Sequence, residues 1–486
     1  MISNLVAAAS TGEAGYPAAP FSPDRRFAEY PFPDCSEAGN LVYAGVRELL
    51  RGLRMDEPGF RSPAWNPFGG IIRPGSRVLI KPNLVRHYHP YGFDPRSIVT
   101  HASVVRAVCD YVWIALERRG ELVIGDAPLQ SCSFEDVVRL AELDKLVEYY
   151  RGQQLDVKLR DLRLVRAMAQ TNSIYGKVLL QEQCDGDPLG YTQVDLGELS
   201  LHAHRGVDSG RFRVTCYDPR RMQSHHNPGK HAYIVANSLL EADVVINLPK
   251  MKTHHKAGIT GALKNFVGIN GHKDCLPHHV KGSAGSGGDE YRAPARLKEL
   301  DSWLVDQQQI SSRTLTKKAV AVAHTVLHAA HMAAGSESYW EGSWYGNDTI
   351  SRTTVDLNRI VLYADKDGSL RREPQREVFN LIDGVIAGEL DGPLAPTPKH
   401  AGVLLAGWHP VATDMAMARL MGFRCGAINT LRHALSREHP LPLLDFPPED
   451  IEIHSSDPRW RGIEIDVPGD SLEFRPHRGW RGHLEL

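Results

Sequence analysis

Residues 243–270 read DVVINLPKMKTHHKAGITGALKNFVGIN, and this stretch decides the fold. It begins with the apolar run Asp243–Leu248, which predicts a strand buried within a parallel sheet. The run leads directly into a basic segment that carries two histidines and is punctuated by glycine. In open α/β sheets the ligand lies outside the carboxyl ends of the strands. The stretch therefore predicts a strand that ends in a binding site, and Asn247–Asn270 is that site's central part.

Apolar strands and amphipathic helices alternate on either side of this stretch. In the N-terminal half we predict the strands Arg77–Ile80 and Leu122–Ile124, and the helices Val99–Arg118, Phe134–Leu143 and Tyr233–Glu241. In the C-terminal half we predict the strands Arg359–Ala364, Val378–Ile386 and Gly402–Ala406, and a helix from Thr413 to Met421. This order predicts an α/β fold with a two-lobed, mostly parallel, doubly wound sheet and β-rich and helical insertions.

The length of 486 residues favours two domains with insertions over one core. Residues 1–38 are rich in Ala, Pro, Ser and Gly without a clear period, which predicts a loose N-terminal arm. The remaining boundaries are predicted as an N-terminal α/β domain over 39–281 with a β-rich insertion at about 150–218, a connector and helical insertion over 282–350, and a C-terminal lobe with a wrapping tail over 351–486.

Composition excludes several classes of protein. The net charge of −2 offers no excess of cations for a general nucleic-acid binder. No run of 18 apolar residues occurs, and the N-terminus lacks the features of a signal peptide, so no membrane span is expected. The seven cysteines are scattered and form no CxxC pair, which favours reduced thiols in the cytoplasm. We therefore expect a cytoplasmic protein, whose oligomeric state the sequence leaves open.

Polar residues stand where four predicted strands end. They are Lys81 and Asn83, then Asp126, then Asn247, Lys250 and Lys252, and finally Asp383. Any one of them is explained equally well as a turn residue. Four such positions together favour one shared cleft at the carboxyl edge of the sheet, with the lysines and asparagines binding an anion.

The basic segment has its own anion-binding features. Lys256 and Lys264 add two further cations, and Gly258, Thr260 and Gly261 precede the predicted helix GALKNF. A glycine-rich turn that enters a helix exposes backbone N–H groups at its positive end, which suits phosphate or carboxylate. The segment matches neither GxxxxGK[ST] nor GxGxxG. A solvated basic loop that caps a helix is the alternative.

A family resemblance rests on these same residues. ADVVINLPKMKTHHKAGITGALKNFVGI resembles the signature of the family catalogued as domain of unknown function 362. The segments RVLIKPN and ELVIGDAP resemble the family's N-terminal half, and IDGVIAGELDGP and WHPVATDMAMARLMGF its C-terminal half. The likeness thus covers most of residues 75–425. Many relatives carry a ferredoxin-like cysteine cluster that this sequence lacks, so no iron–sulfur cluster is expected.

A more remote likeness concerns the segment His254–Lys264. It is similar to the motif H-x-x-A-G-F-S-G-G-x-K of the nickel-pincer lactate racemases, although Gly261-Ala262 replaces the paired glycines. In those enzymes the motif histidine is an acid/base and the lysine holds a covalent cofactor. The resemblance implies these roles for His254 and Lys264. Asp126 stands in place of the racemases' other acid/base histidine, which makes it a third catalytic candidate.

Metal ligands are a further option. Asp383 and Asp391 lie in IDGVIAGELDGP and offer the oxygen ligands that Mg²⁺ or Ca²⁺ prefers, and His272 is a further candidate ligand. A turn made by the neighbouring Gly and Pro is the alternative. Taken together, the sequence favours an enzyme that acts on a small carboxylate or phosphate by proton transfer or isomerisation, with a divalent metal as an option. The alternatives are a metal-dependent phosphoryl-transfer or hydrolytic enzyme, and a non-enzymatic protein that binds an anion or a partner.

Overall fold

The structure, a computed structural model, describes residues 4–12, 15–171, 177–214, 218–311, 314–333 and 341–486. Within these ranges the strands are β1 (Leu5–Ser10), β2 (Arg77–Pro82), β3 (Glu121–Asp126), β4 (Val157–Asp161), β5 (Val165–Thr171), β6 (Lys177–Gln183), β7 (Tyr191–Asp195), β8 (Phe212–Arg213), β9 (His226–Asn227), β10 (Lys230–Ala236), β11 (Val244–Leu248), β12 (Lys250–His254), β13 (Gly258–Thr260), β14 (His279–Val280), β15 (Glu377–Asp391), β16 (Ala395–Lys399), β17 (Val403–Gly407) and β18 (Glu452–Ser455). The helices are α1 (Leu41–Gly52), α2 (Ala102–Leu116), α3 (Phe134–Leu140), α4 (Leu143–Gly152), α5 (Pro219–His225), α6 (Asn237–Leu240), α7 (Ala262–Asn265), α8 (Arg296–Ile310), α9 (Thr314–Ala333), α10 (Thr349–Tyr363), α11 (Pro410–Met421) and α12 (Asn429–Ala434).

An 11-stranded sheet, as far as the described residues show, forms the centre of the fold. Its main path runs β18-β1-β17-β15-β11-β2-β3-β4, and β12, β13 and β16 branch from it. The run β15-β11-β2-β3-β4 is parallel throughout, whereas β17 pairs antiparallel with both β15 and β1. The predicted α/β class with a mostly parallel sheet is confirmed. Strands from both predicted domains are neighbours in this one sheet.

Helices cover both faces of the sheet, as expected for a doubly wound arrangement. Val78 and Ile80 of β2 pack with α1 and α2 on one face, and Leu79 packs with α10 on the other. All five residues of β11 are buried. The continuous apolar run that predicted this strand is thus explained by burial on both sides.

The N-terminal segment differs from the loose arm that the sequence predicted. Strand β1 lies inside the sheet between β17 and β18, and its first five residues are buried. Residues 1–3 and 13–14 lie outside the described residues. Further along, the hydroxyl of Tyr16 donates a hydrogen bond of 2.7 Å to Asp383 Oδ1. The short alanine-rich run LVAAAS gave no strand signal by itself, because its pairing partners are hundreds of residues away.

Two predicted elements have the wrong type. The predicted strand Arg359–Ala364 lies almost wholly within α10, whose apolar positions Val355, Ile360 and Val361 are all buried. The prediction was wrong because the β-branched residues within this short segment favour a strand. The helix begins ten residues earlier, at Thr349, so its period is recognised only over a longer segment. The predicted helix Tyr233–Glu241 is instead strand β10 followed by the short helix α6, because β10 pairs with β7.

Both predicted insertions contact other parts of the chain. Strands β5 and β6 form an antiparallel hairpin within the predicted β-rich insertion, and β7 from the same region pairs with β10. The first part of the region predicted as a connector and helical insertion, residues 282–289, is held in place, because Asp289 is buried and accepts hydrogen bonds from Thr349. The C-terminal part of the chain supplies β18, which lies at one end of the main sheet path.

Candidate functional site

A cavity of about 340 Å³ opens where β2, β3 and β12 end. We call it the lysine cavity, after the three lysines that line it, Lys256, Lys264 and Lys273. Its other polar lining residues are Asn83, Asp126, Ser131, His254, His255, Thr260, Asn265, His278 and Glu341. The cavity therefore lies at the edge of the sheet where open α/β folds bind ligands.

Asp126 reaches the lysine cavity from the end of β3 and is already paired. Its Oδ1 lies 2.7 Å from Lys81 Nζ, and its Oδ2 accepts a hydrogen bond of 2.6 Å from the backbone N–H of Leu84. A Cβ on Gly268 would lie 2.1 Å from Asp126 Oδ1, so this position requires glycine. Burial of Lys81 lowers its pKa, and Asp126 partly offsets that effect. The pair thus behaves as a closed structural unit beneath the cavity.

A chain of asparagine amides connects three neighbouring strands, β2, β11 and β15, to helix α7. Asn265 donates from Nδ2 to the carbonyl of Lys81 and to Asn247 Oδ1, at 3.0 and 2.8 Å. Asn265 Oδ1 accepts from Asn83 Nδ2 at 3.0 Å. Asn247 in turn donates to Asn380 Oδ1 at 2.9 Å. These buried amides satisfy one another, which fixes the orientation of helix α7, which carries Lys264.

Lys250 and Lys252, which were predicted to bind the anion, lie behind the lysine cavity. Lys250 Nζ is 2.9 Å from Asp383 Oδ2 and also contacts the hydroxyl of Tyr16. Lys252 Nζ donates to Asn83 Oδ1 at 2.6 Å and to the carbonyl of Ile98 at 2.7 Å. Burial and the charge of Lys250 hold the pKa of Lys252 well below its ordinary value. Both ammonium groups are fully buried and satisfied by the protein itself.

Lys264 and Lys273 line the lysine cavity and make no ion pair with any described residue. Burial lowers the pKa of Lys264 to about 7, with further contributions from the charges of Lys273 and Lys256. Burial also lowers the pKa of Lys273 to about 7, against an opposing effect of Asp126. Lys273 Nζ donates to the carbonyls of Val267 and Asn270, at 3.1 and 3.5 Å. Lys264 Nζ makes no hydrogen bond or ion pair with any residue that the structure describes.

His254 lines the cavity as a neutral imidazole with one defined tautomer. Its Nδ1 accepts hydrogen bonds from the backbone N–H groups of Lys256 and Ala257, at 3.0 and 3.1 Å. The proton of the neutral ring therefore lies on Nε2, which becomes a donor. Burial, followed by the charge of Lys264, holds the pKa of His254 well below its ordinary value.

His278 presents a hydrogen-bond acceptor, whereas His254 presents a donor. Its Nδ1 lies 2.7 Å from the carbonyl of Leu276, and a carbonyl only accepts, so Nδ1 carries the proton and Nε2 is an acceptor. Burial and the charge of Lys256 hold the pKa of His278 well below its ordinary value. Two of the imidazoles in the cavity wall thus differ in polarity, because His254 presents a donor and His278 an acceptor.

The helix start at Gly261 differs from the predicted anion cradle. The backbone N–H groups of Ala262 and Leu263 donate to the two carboxylate oxygens of Asp414, at 2.5 and 3.0 Å. An internal carboxylate therefore occupies the place that we predicted for an external anion. Thr260 does line the cavity, and its buried Oγ1 has no hydrogen-bond partner among the described residues. It is a free hydroxyl for a ligand.

The structure sorts the predicted site residues into two groups. Three catalytic candidates, His254, Lys264 and Asp126, line the lysine cavity, as do Asn83 and Thr260. The other anion-binding candidates lie outside its lining: Lys81, Asn247, Lys250, Lys252 and Gly261. Sequence reasoning missed Lys273 and Asn265 altogether. Both lie within eleven residues of His254–Lys264, so a wider window around that motif would have included them.

The three predicted metal ligands do not meet. Asp383 pairs with Lys250, Asp391 lies 3.6 Å from His477, and His272 lies 3.6 Å from Asp274. Among the described residues, no group of three or more His, Cys, Asp or Glu side chains is arranged to hold a metal ion. Each of the three side chains thus faces a different partner.

Comparison with known proteins supports the family resemblance. Residues 203–419, which include all of β11, helix α7 and most of α11, match the family described as Domain of unknown function (DUF362). The predicted likeness to this family is thereby confirmed over those residues. The match contains every residue of the motif that supplies His254 and Lys264.

Two individual proteins also show similarity. A thylakoid-associated protein of Synechocystis is 28% identical over 207 residues, which is 42% of this chain and 55% of that protein. This chain thus aligns with about half the length of that relative. A crystal structure of a Thermotoga maritima protein is 11% identical with a TM-score of 0.30, covering 77% of this chain and 58% of that one. Among the residues that the structure describes, no helix is long and apolar enough to cross a membrane.

Proposed function

We propose that this chain is an enzyme that binds a small carboxylate or phosphate anion in the lysine cavity and transfers a proton to or from it. One observation carries the proposal. Lys264 lines the lysine cavity, has a pKa of about 7, and has no hydrogen bond or ion pair in the described part of the chain. A group that titrates near neutral pH is suited to act as both acid and base.

The neighbouring residues suit complementary roles. The ammonium of Lys273, which also titrates near neutral pH, attracts the anion. The unprotonated amine of Lys264 takes a proton from a carbon next to the anionic group. His254 donates from Nε2 to the oxygen on which negative charge then develops. Asp126, paired with Lys81, acts by holding the cavity floor rather than by exchanging protons with the substrate.

Hydrogen exchange tests the proposal directly. Small 2-hydroxy and 2-amino carboxylates are incubated with the protein in D₂O, and loss of the α-hydrogen signal is followed by NMR. We expect exchange that falls by about 10²- to 10⁴-fold in Lys264→Met and by about 10²-fold in His254→Ala. The dissociation constant of oxalate, an anion without an α-hydrogen, is measured in parallel and should change little in His254→Ala.

A non-enzymatic binder gives a different result. It would bind oxalate in a manner that depends on Lys264, yet catalyse exchange of no carboxylate in the panel. That combination would overturn the proposed catalysis and leave the anion site. Failure of oxalate and inorganic phosphate to bind at all would overturn both.

The cytoplasm is our proposed location, because the cysteines are scattered and show no paired spacing. The Synechocystis relative is named as thylakoid-associated, which makes a membrane surface the competing location. Cell fractionation followed by carbonate washing separates the two. We expect the protein in the soluble fraction, and recovery in washed membranes would contradict this.

A further inference from the structure

We propose that the substrate of the lysine cavity carries a carbonyl group beside its anionic group, and that Lys264 Nζ joins this carbonyl as an imine. The inference rests on the proposed function, because it assumes that a small anion enters the cavity. It goes further by naming the substrate class, a 2-oxo carboxylate or a similar carbonyl anion, and the atom that reacts with it.

The contacts around the three cavity lysines single out Lys264. Lys273 donates to the carbonyls of Val267 and Asn270, so its amine is held in the wall. Lys256 also has interaction partners. Lys264 makes no hydrogen bond or ion pair with any described residue, and it extends from α7, which is fixed at both ends by Asp414 and Asn265. Its amine therefore has no partner among the described residues, and the helix that carries it is held by hydrogen bonds at both ends.

The surroundings make this amine a nucleophile. Burial and neighbouring ammonium groups disfavour its charged form, and an amine attacks a carbonyl only when it is unprotonated. Among the residues that the structure describes, no cysteine lines the lysine cavity, and the hydroxyls of Ser131 and Thr260 lack a histidine within hydrogen-bond reach. The strongest available nucleophile is therefore nitrogen, and its natural partner is an aldehyde or ketone.

The step balances without an oxidant or a reductant. The Nζ lone pair forms a bond to the carbonyl carbon, and the carbonyl π electrons move onto oxygen, where His254 Nε2 and the Thr260 hydroxyl are the available donors. A proton from the Lys273 ammonium and one from Nζ convert this oxygen into water. The water leaves, the C–O bond breaks, and a protonated imine remains. Its positive nitrogen withdraws electrons from the adjacent carbon and makes the C–H bond there more acidic. With such a carbonyl substrate Lys264 is the nucleophile, and His278 Nε2, an acceptor in the cavity wall, takes the proton instead of Lys264.

Reductive trapping tests the inference. The full-length protein is incubated with glyoxylate or pyruvate and sodium cyanoborohydride, which reduces an imine to a stable secondary amine. Intact mass and peptide mapping then count and locate the adducts. We expect one dominant adduct, on Lys264, that is lost in Lys264→Arg. The surface variant Lys366→Arg is the matched control, because Lys366 is 57% exposed, and it should retain the adduct.

The outcomes separate the two proposals. If oxalate binds and carboxylates exchange but cyanoborohydride traps nothing on Lys264, the imine is refuted and the proposed function stands. Adducts spread evenly over surface lysines refute the imine as well. Because the adduct is mapped in the wild-type protein, the result does not depend on whether Lys264→Arg folds. If neither carbonyl nor oxalate interacts with the cavity, both proposals fail.

Discussion

The carboxylate of Asp414 caps the helix that carries Lys264. Its two oxygens accept hydrogen bonds of 2.5 and 3.0 Å from the first two N–H groups of α7. The two segments are 152 residues apart in sequence. A Cβ on Gly261 would lie 2.1 Å from Asp414 Oδ1, so glycine there is what allows the carboxylate to approach. Helix α11 therefore sets the position of the proposed catalytic amine.

Replacing Asp414 by Asn should change how stability depends on pH. Burial raises the pKa of Asp414 to about 7 from an ordinary value of 3.8, although its two amide donors oppose the shift. The folded state then holds a proton that the unfolded state releases, so this group's stabilising effect is lost as pH rises from about 4 to about 7. Urea denaturation gives the free energy of unfolding of the wild type and of Asp414→Asn at each pH. The wild-type value minus the variant value should fall as pH rises from about 4 to about 7. A difference that does not vary with pH would contradict the raised pKa.

Removing only one partner of the ion pair between Lys81 and Asp126 should strongly destabilise the fold. Lys81→Met leaves a buried carboxylate without its cation, for which we expect a loss of about 3–5 kcal/mol in the free energy of unfolding. In Lys81→Met/Asp126→Asn the charge is absent, and much of that loss should return. Denaturation of both single variants and the double variant gives the coupling energy. Additive losses would show that the pair is not coupled.

The charge of Lys273 should control the titration of Lys264. Lys273 is the largest charged contribution to the lowered pKa of Lys264, which is about 7. Lys273→Met removes that charge, so the pKa of Lys264 should rise. Competitive labelling with acetic anhydride across pH, read out by peptide mass, gives the midpoint for Lys264. Lys366→Met is the control and should leave the midpoint unchanged, whereas a downward shift in Lys273→Met would refute the electrostatic account.

Local pattern predicted those parts of the fold and site that depend on neighbouring residues. The buried strand β11 and the basic segment after it were predicted from the sequence, because each is defined by residues that are close together in the chain. The contact between Lys250 and Tyr16 could not be predicted in this way, because Tyr16 lies 234 residues earlier and belongs to a segment that was predicted to be loose. Lys81, Lys250 and Lys252 looked like ligands for this reason. The sequence alone does not distinguish a lysine that binds an external anion from one whose charge is balanced by a carboxylate of the same protein.

The same limit applies to the anion cradle at Gly261. The turn and the helix start were read correctly, because glycine and the following helical residues are local features. The occupant of the exposed N–H groups is decided by α11, which packs against α7 and brings Asp414 to that point. Charge near a helix start therefore predicts a carboxylate there but does not distinguish a ligand from a side chain.

Binding of an anion in the lysine cavity should be coupled to proton uptake. Lys264 and Lys273 both have a pKa of about 7, and an adjacent negative charge favours their ammonium forms and so raises both pKa values. Oxalate should bind most tightly below pH 7, and its affinity should weaken by up to about tenfold per pH unit above that for each proton taken up. Isothermal titration calorimetry from pH 6 to 9, in buffers of different ionisation enthalpy, counts these protons. In Lys264→Arg the guanidinium stays charged, so the pH dependence should become shallower, and an affinity that is constant with pH in the wild type would exclude these lysines as the anion site.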